Sequence, residues 1–295
     1  MAAPSLTALE TAFVGGADVF RKHVLGWNLR GQGIQVRTNV NAPQALAKLS
    51  AVGAPRPYRT QDDFGTGPDF SDRTLTAYQS KWDYEFDAEN FRNTYLATLP
   101  DMPFEAAAVD QVSKTYLDTI IRLTLGAGVR NGAGTGAADL CDGWLTIIAA
   151  EITATTISPV VTGAITSANA VTQLELVADA APVWLKQMGG LIYVSYDVFQ
   201  KFCAHYRTLN GFQYQPGITG DYKLDARNFI VRPQAWMGAS QRVILTLPNN
   251  LVFGTDLERV ATFPTPHLNI MQIRHMMPVG CQIQDLDALV VNNQA

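Results

Sequence analysis

The chain has 295 residues, enough for one large domain or two modest ones with a real core. Its net charge is −4 and its pI is near 5.5, so the sequence does not predict the basic face of a specific nucleic-acid-binding protein. Apolar residues make up 47% of the chain and charged residues 16%, against about 25% charged in ordinary globular proteins. Either other subunits cover part of the surface, or the core is large.

Targeting and redox signals are few. Cys141, Cys203 and Cys281 lie far apart with no C-x-x-C motif, which favours a reducing compartment over a disulfide framework. The first twenty residues, MAAPSLTALETAFVGGADVF, have no basic segment before an apolar run, so no signal peptide is expected. No stretch approaches the roughly 18 apolar residues of a membrane-spanning helix.

The N-terminal third predicts an arm followed by an extended segment. Residues 1–32 have helical spacing that two glycines interrupt, and we expect a short arm there. Within residues 33–92 the stretches GIQVRTNV and TAYQSKWDYEF alternate with a period of two, which predicts two strands forming a ribbon. The stretch between them is rich in Pro, Gly, Asp and Arg, and loops of about thirty residues are uncommon in compact domains and often functional.

The second predicted strand has an aromatic face and a charged face. Tyr78, Trp82, Tyr84 and Phe86 share the first face, and Lys81, Asp83 and Glu85 share the second. A two-stranded ribbon alone is only marginally stable in water. The aromatic face is therefore expected to pack either on its own domain or on a neighbouring subunit.

Apolar spacing predicts a long helix over residues 104–125. Pro103 suits its first turn, and Gly126 and Gly128 suit its end. Intervals of three and four residues place five apolar side chains on one face of this helix: Val109, Val112, Tyr116, Ile120 and Leu123.

Residues 140–295 mix helical and strand patterns. LCDGWLTIIAAEI and VTQLELVADAAPVWLKQM predict helices, and Ser195 is expected to cap a third helix. The apolar face predicted for that third helix is Val198, Phe199, Phe202, Cys203, Tyr206 and Leu209. Strands are predicted at GLIYVS, FIVRP, RVILTLP, NLVFGTD, LNIMQIRHMM and CQIQDLDALVV. This irregular order of helices and strands predicts an α+β fold.

The Gly-rich stretch at residues 126–136 lacks the context of a phosphate-binding loop. A P-loop needs a lysine directly after its last glycine, whereas the next lysine here is Lys186. A dinucleotide fingerprint follows a strand and opens a helix, whereas these glycines follow a predicted helix. The stretch is therefore interpreted as a helix stop and a connection.

No pattern in the sequence predicts catalysis. The four histidines have no histidine partner three or four residues away, and there is no G-x-S-x-G motif. The acidic pairs in QDDFG and DLDAL are typical of solvated turns. The aromatic face could stack on bases, but strand packing is favoured because the opposite face is not basic. We expect no catalytic residues, no metal site and no cofactor.

Motifs in the C-terminal half resemble a known family. TLPNNLVFGTDLERV, followed by a strand pair ending MPVGCQIQDLDALVV, is similar to the major capsid proteins of tailed bacteriophages, which have the Hong Kong 97 capsid fold. The Gly-rich stretch before Asp142, Gly143 and Trp144 resembles the exit from that family's spine helix. The resemblance implies an N-terminal arm (1–32), an extended loop formed by a two-stranded ribbon (33–92), a peripheral domain with the spine helix (93–140), an axial domain (141–255), and C-terminal strands returning to the peripheral domain (256–295).

The same resemblance implies a structural protein that assembles into pentamers and hexamers of an icosahedral shell around packaged double-stranded DNA. It implies that subunits contact each other through the extended loop, with candidate interface residues Val36, Tyr78, Trp82 and Tyr84. A portal and a separate scaffold or decoration protein are expected partners, and the short arm suggests that any scaffold is a separate protein. Contact with DNA would be non-specific, no membrane would be involved, and the protein would reach the virion capsid after synthesis in the bacterial cytoplasm.

Some members of this family join subunits covalently through a lysine of the extended loop and an asparagine. Lys48 and Lys81 are the lysines in the corresponding segment here. Such a bond needs a deprotonated amine beside an amide and a helping acid. The sequence places neither of the other two groups.

Three other interpretations stay open at this point. An encapsulin-type nanocompartment has a similar fold but encloses cargo enzymes in place of DNA. A soluble metabolic enzyme would bring the Gly-rich stretch and scattered His and Asp residues together after folding. A tail or decoration protein would share the structural role but form tubes or trimers.

Overall fold

The structure is a computed structural model that describes residues 21–22, 29–50, 69–87, 104–210, 222–224, 227–267 and 270–294. The longer helices in these ranges are α1 (Phe104–Thr119), α2 (Trp144–Thr153), α3 (Ala170–Asp179), α4 (Val183–Met188) and α5 (Tyr196–Asn210). The strands are β1 (Gln35–Arg37), β2 (Gln44–Ser50), β3 (Asp69–Leu75), β4 (Tyr78–Asp87), β5 (Gly190–Val194), β6 (Tyr222–Lys223), β7 (Phe229–Pro233), β8 (Ile244–Thr246), β9 (Leu251–Gly254), β10 (Ala261–His267), β11 (Ile270–Ile283) and β12 (Leu289–Val291).

These strands form three sheets, and together with the helices they confirm the predicted α+β fold. The β11 sheet has the order β1-β9-β11-β10, with β4 also paired to β11. The β5 sheet has the order β12-β8-β5-β7-β6. Strands β2 and β3 form a separate antiparallel pair, which we call the ribbon.

The β5 sheet is buried on both faces at its centre. Leu191 and Tyr193 point into a core shared with the β11 sheet, whereas Ile192 and Val194 point into a second core beneath α3 and α5. A strand covered on both sides needs apolar residues at successive positions, which explains the unbroken run GLIYV. The predicted cap of α5 is confirmed, because the Val198 N–H donates to Ser195 Oγ at 3.3 Å.

The shared core joins α1 and α2 to both sheets. Its largest side chains include Trp144 of α2 and Trp236, whose ring centroids lie 4.9 Å apart in an edge-on arrangement. Tyr193 packs on Trp236 from the β5 sheet at 6.0 Å. Aromatic side chains contribute the most apolar area per residue, so this cluster holds the two sheets together.

Strand β11 is the longest strand described, and its partner on one side changes along its length. It pairs with β10 up to Met276 and with β9 from Gly280, while β4 follows its other side. Pro278 lies in the gap between these two partners. Proline has no N–H to donate, so a position without a neighbour on one side tolerates it inside the strand.

Strand β10 is an element that the sequence patterns did not predict, because Pro264 and Pro266 interrupt its stretch. Among the described strands it lies at the edge of the β11 sheet. Pro264 is opposite Ile273, and Pro266 is opposite Met271. The two prolines are two residues apart, so both nitrogens face the same side. Because the ladder to β11 is intact, that side is the outer edge, where proline is tolerated.

Both strands predicted in the N-terminal segment exist, but the prediction that they pair with each other is wrong. Strand β1 runs parallel to β9, with Val36 opposite Phe253. Strand β4 runs antiparallel to β11, with Trp82 opposite His275. The ribbon is formed by β2 and β3, which lie in the stretch interpreted as a loop. Pairing with β11 gives β4 a partner along its whole length and a helix, α1, against its aromatic face.

Helix α1 begins at Phe104, and two residues of the predicted apolar face, Tyr116 and Ile120, are buried. Leu123 departs from that predicted face, since its side chain is 52% exposed. The chain continues from α1 as a π-helical turn, Ile120–Thr124, in which the Leu125 N–H donates to the Ile120 carbonyl at 3.2 Å. This i to i+5 bond rotates the following residues, so Leu125 is buried in place of Leu123. The Val109 side chain lies outside the described residues.

Two of the predicted segment borders do not coincide with the boundaries between the sheets. Strand β9 lies in the range assigned to the axial domain, yet it pairs with β1 and β11. Strand β12 lies in the range expected to return to the peripheral domain, yet it pairs with β8 in the β5 sheet. The predicted strand CQIQDLDALVV is therefore two elements, the end of β11 and all of β12, joined by residues 284–288. Similarly, Pro182 divides one predicted helix into α3 and α4.

Candidate subunit-contact surfaces

The Gly-rich stretch folds back on the end of α1, as its interpretation as a connection predicts. The Gly128 N–H donates to the Thr124 carbonyl at 3.2 Å, and the Trp144 N–H donates to the Leu125 carbonyl at 2.9 Å. A Cβ at Gly126 would lie 1.8 Å from the backbone oxygen of Trp236, so only glycine fits there. Several amides of this stretch are used in its own turns, which is the role of an architectural loop.

Trp82 and Tyr84, two of the predicted interface residues, lie side by side on β4 and pack inside the chain. The Trp82 ring stacks on Tyr116 of α1 at 5.3 Å between centroids and 15° between planes. The rings of Trp82 and Tyr84 are 5.4 Å apart. The aromatic face of β4 therefore packs on its own domain, which was one of the two expected outcomes.

Tyr84 is part of a buried hydrogen-bond chain. Its hydroxyl lies 2.9 Å from His275 Nε2, and Thr262 Oγ1 lies 2.8 Å from His275 Nδ1. The His275 side chain is almost fully buried, and that burial lowers its pKa to about 4. Burial also raises the pKa of Tyr84. Both side chains are therefore neutral at neutral pH, and the geometry suits a structural contact.

Tyr78 and Val36 lie away from this pair. Tyr78, at the start of β4, is 38% exposed, and the Arg130 guanidinium lies 4.4 Å from its ring centroid. Val36 on β1 is partly buried against the shared core. The four candidate interface residues thus do not form one patch, and their contact with a neighbouring subunit stays a prediction.

A groove of about 710 Å³ runs between β4, the end of α1 and the Gly-rich connection. Trp82 and Tyr116 line its apolar side, and Arg130 and Asp139 line its polar side.

The opposite face of β4 is charged, as predicted. There Asp83 accepts a hydrogen bond from Arg274 at 2.6 Å, which holds the pKa of this carboxyl below its usual value.

The ribbon is attached to the rest of the chain at its base. Leu46 and Leu75 are fully buried against Val40 and Val252. Farther along β2, Lys48 Nζ donates to Asp285 Oδ1 at 2.7 Å and also binds Asp287. From the sequence, Lys48 was only a candidate for crosslinking, and the structure places two acidic partners beside it.

The surroundings of Lys48 are unfavourable for a crosslink. Burial alone would lower the pKa of this amine, but hydrogen bonds and charges from Asp285 and Asp287 together raise the pKa above its ordinary value. An isopeptide bond requires the deprotonated amine as nucleophile. In this structure Lys48 is an ion-pair partner.

Exposed apolar side chains concentrate on α4, a surface that the sequence reasoning missed. Val183, Trp184 and Met188 are 69%, 40% and 67% exposed, while Leu185 is buried. The signal lies in PVWLKQM, where apolar residues occupy more than one face of a single short helix. Trp and Met are enriched in protein interfaces, so α4 is a candidate contact surface.

Other chemistry is sparse in the part of the chain that the structure describes. No group of three or more His, Cys, Asp or Glu residues there is arranged to hold a metal ion. The three cysteines are free, and burial together with the neighbouring Cys141 raises the pKa of Cys281. None of the described helices has both the length and the apolar character needed to cross a membrane.

Solved structures share this fold along nearly the whole chain. The structure described as the satellite phage P4 procapsid including size determination protein has a chain that matches with a TM-score of 0.65 and 14% identity, over 99% of this chain and 91% of that one. The capsid of an empty GTA particle matches with a TM-score of 0.53 and 13% identity, over 90% and 88%.

A holo-SrpI encapsulin from Synechococcus elongatus PCC 7942 matches with a TM-score of 0.50 and 9% identity, over 88% of this chain and 84% of that one. No protein-family model and no curated protein matches the sequence. At these identities the likeness shows the fold alone. The chain has the Hong Kong 97 type capsid fold, and the resemblance drawn from its C-terminal motifs is confirmed at that level.

Proposed function

We propose that this chain is a major capsid protein that assembles into pentamers and hexamers of an icosahedral shell around double-stranded DNA. The observation that carries the proposal is the likeness to the P4 procapsid chain, which covers almost all of both chains. Because neither chain has a large segment that the other lacks, there is little room in this chain for a separate catalytic domain. The chain is proposed to act by assembly and to belong in the virion capsid.

The segments then take the roles that the capsid fold suggests. Residues 1–32 are the arm, α1 is the spine helix, the β11 sheet is the core of the peripheral domain, and the β5 sheet is the core of the axial domain. Strand β9 belongs to the β11 sheet and β12 to the β5 sheet, so each domain includes residues from both sides of the predicted borders.

Subunit contacts are proposed at two places. The ribbon forms its own two-stranded sheet and is suited to lie on a neighbouring subunit. The exposed side chains of α4 are suited to the contact between adjacent axial domains within a ring. A ring needs one surface to meet a different surface on the next copy, and closure of the ring satisfies every contact.

Further partners belong to the same proposal. A chain with a net charge of −4 is suited to enclose DNA without binding it specifically. A portal at one vertex and a separate scaffold or decoration protein are proposed partners, and the bacterial cytoplasm is the proposed place of synthesis. No membrane contact is proposed.

An encapsulin-type compartment is the second candidate, because an encapsulin chain matches over most of both lengths. The two functions differ in what the particle encloses. Particles purified from a producing cell and treated with nuclease would contain protected DNA if the chain is a phage capsid protein, and cargo protein without DNA if it is an encapsulin. Light scattering and electron microscopy of the recombinant chain come first. Uniform shells or rings of five or six subunits support both candidates, and a metabolic enzyme predicts neither.

The proposed role of the ribbon has a direct test. Ser50 and Asp69 are opposite each other in the ladder, so residues 51–68 can be replaced by Asn-Gly, which suits a two-residue hairpin turn. The shortened chain should keep its melting temperature and lose shell formation. In a matched control, residues 51–68 are replaced by a Gly/Ser segment of the same length. This control shows whether shell formation depends on the sequence of the segment or only on its length. Normal shells from the Asn-Gly chain would contradict the role.

A further inference from the structure

The connection between β11 and β12, residues 284–288, is held firmly by one buried side chain. Asn250 Nδ2 donates to the Asp285 carbonyl at 2.7 Å, and Asn250 Oδ1 accepts from the Asp285 N–H at 2.7 Å. The Gln284 N–H donates to the Asn250 carbonyl at 2.9 Å. Asn250 also bonds to Thr246 of β8. Because β11 and β12 belong to different sheets, this connection, which we call the joint, is one place where the chain passes from one sheet to the other.

The ribbon is fastened to this joint from one strand and to the shared core region from the other. Lys48 on β2 binds Asp285 and Asp287 of the joint. Arg73 on β3 binds Glu151 of α2 at 2.6 Å and Gln282, next to the joint, at 3.1 Å. These two sets of contacts, made by Lys48 and by Arg73, are called the ribbon latch.

Side chains, more than backbone ladders, set the direction of the ribbon. Strands β2 and β3 form their own two-stranded sheet, outside the ladders of the β5 and β11 sheets. Other attachments are the small apolar cluster around Leu46 and Leu75 and a hydrogen bond from Gln282 Nε2 to the Thr74 carbonyl at 2.9 Å. Apolar contacts are non-directional, whereas charge-assisted hydrogen bonds have a preferred geometry. The latch therefore supplies charge-assisted contacts that can fix an angle.

We propose that the ribbon latch couples the direction of the ribbon to the joint between the two sheets. With the latch formed, a shift of one sheet against the other displaces Asp285 and Asp287, and Lys48 carries that displacement to the ribbon. With the latch open, the ribbon keeps its apolar base but points in a range of directions. The Lys48 and Arg73 side chains are about one quarter exposed, so salt screens the latch and leaves the apolar base intact. The proposal does not depend on shell formation.

A distance measurement tests the latch in the full-length chain. Nitroxide labels are placed at Asp72→Cys on β3 and Gln111→Cys on α1, with Cys203→Ser to leave only buried native thiols. Labelled chain is diluted into unlabelled chain, so that double electron–electron resonance reads distances within one chain. We expect one narrow distribution at low salt. It should become about twofold broader or more in Lys48→Met, and also in the unsubstituted chain at 1 M salt, where the screening length falls to about 3 Å.

The matched control is Lys201→Met, which removes the Lys201–Asp197 pair within α5 and should leave the distribution narrow. Asn250→Ala tests the coupling, because Asn250 holds the joint while Lys48 and Arg73 stay unchanged. With a native circular dichroism spectrum, this variant should also broaden the ribbon distances. A narrow distribution in Lys48→Met at all salt concentrations overturns the latch. Broadening in Lys48→Met with a narrow distribution in a folded Asn250→Ala overturns the coupling.

Discussion

The core beneath α3 and α5 and the β11 sheet bury polar groups to different extents. The core beneath α3 and α5 is mainly a cluster of aliphatic and aromatic side chains such as Leu174 and Phe202, and it includes one buried imidazole, His205, whose Nδ1 accepts from the Val171 N–H at 3.0 Å. The β11 sheet, beside the shared core, buries a chain of polar groups, in which Tyr84 and Thr262 bind the two ring nitrogens of His275. Apolar packing is insensitive to protons, whereas a buried imidazole responds to them. The stability of the β11 side should therefore change with pH through His275.

The largest expected effect is loss of a core side chain beneath α5. Phe202 is fully buried between Phe199 and Tyr206, so Phe202→Ala should lower the free energy of unfolding by about 4 kcal/mol. Trp82→Ala on β4 removes a partly exposed ring and should cost about half as much. Urea denaturation of unassembled subunits at pH 7 measures both, with Phe202→Leu as the conservative control. A greater loss for Trp82→Ala would reverse the ranking of the two cores.

Acid should weaken the β11 side through His275. The pKa of His275 is about 4 in the folded chain, against 6.5 for the free side chain, so the unfolded state binds more protons between these values. Stability is therefore complete above pH 6.5 and falls as the pH drops toward 4, by about 3 kcal/mol in total. Urea denaturation from pH 7 to pH 4 measures this slope. His275→Gln should reduce the slope between pH 6.5 and 4, and an unchanged slope would assign it to other groups.

A smaller loss of stability is expected when one hydrogen bond of the polar chain, between Tyr84 and His275, is removed. Tyr84→Phe removes the hydroxyl that binds His275 and should cost about 1 kcal/mol at pH 7. Tyr78→Phe on the same strand is the matched control, because Tyr78 is more exposed and should change stability little. Thermal melts of the two variants give the comparison. Equal melting temperatures would show that the Tyr84 hydroxyl does not contribute to the stability of the β11 sheet.

Local patterns predicted the elements whose environment is local. The run GLIYV predicted a buried strand because both faces of β5 are covered, and Ser195 predicted the start of α5 because its oxygen caps the first turn. The segment order also led to the capsid fold, through motifs at residues 246–260 and 277–291. These features depend on residues close together in sequence.

The remaining features depend on distant partners. Nothing within GIQVRTNV or TAYQSKWDYEF specifies that their partners are β9 and β11, more than 160 residues away. The π-helical turn that begins at Ile120 buries Leu125 in place of Leu123, which a constant helical period does not allow. Lys48 was a crosslinking candidate because the sequence does not place Asp285 and Asp287 beside it.

The prolines of β10 affect how copies of the chain can associate through the edge of the β11 sheet. An exposed sheet edge invites a strand from another molecule to add to it, and open-ended growth can follow. Pro264 and Pro266 remove two donors from that edge, so an incoming strand would leave some of its own carbonyls unpaired. Copies of the chain that approach this edge must then recognise each other through side chains, whose geometry can favour a closed assembly over a fibre.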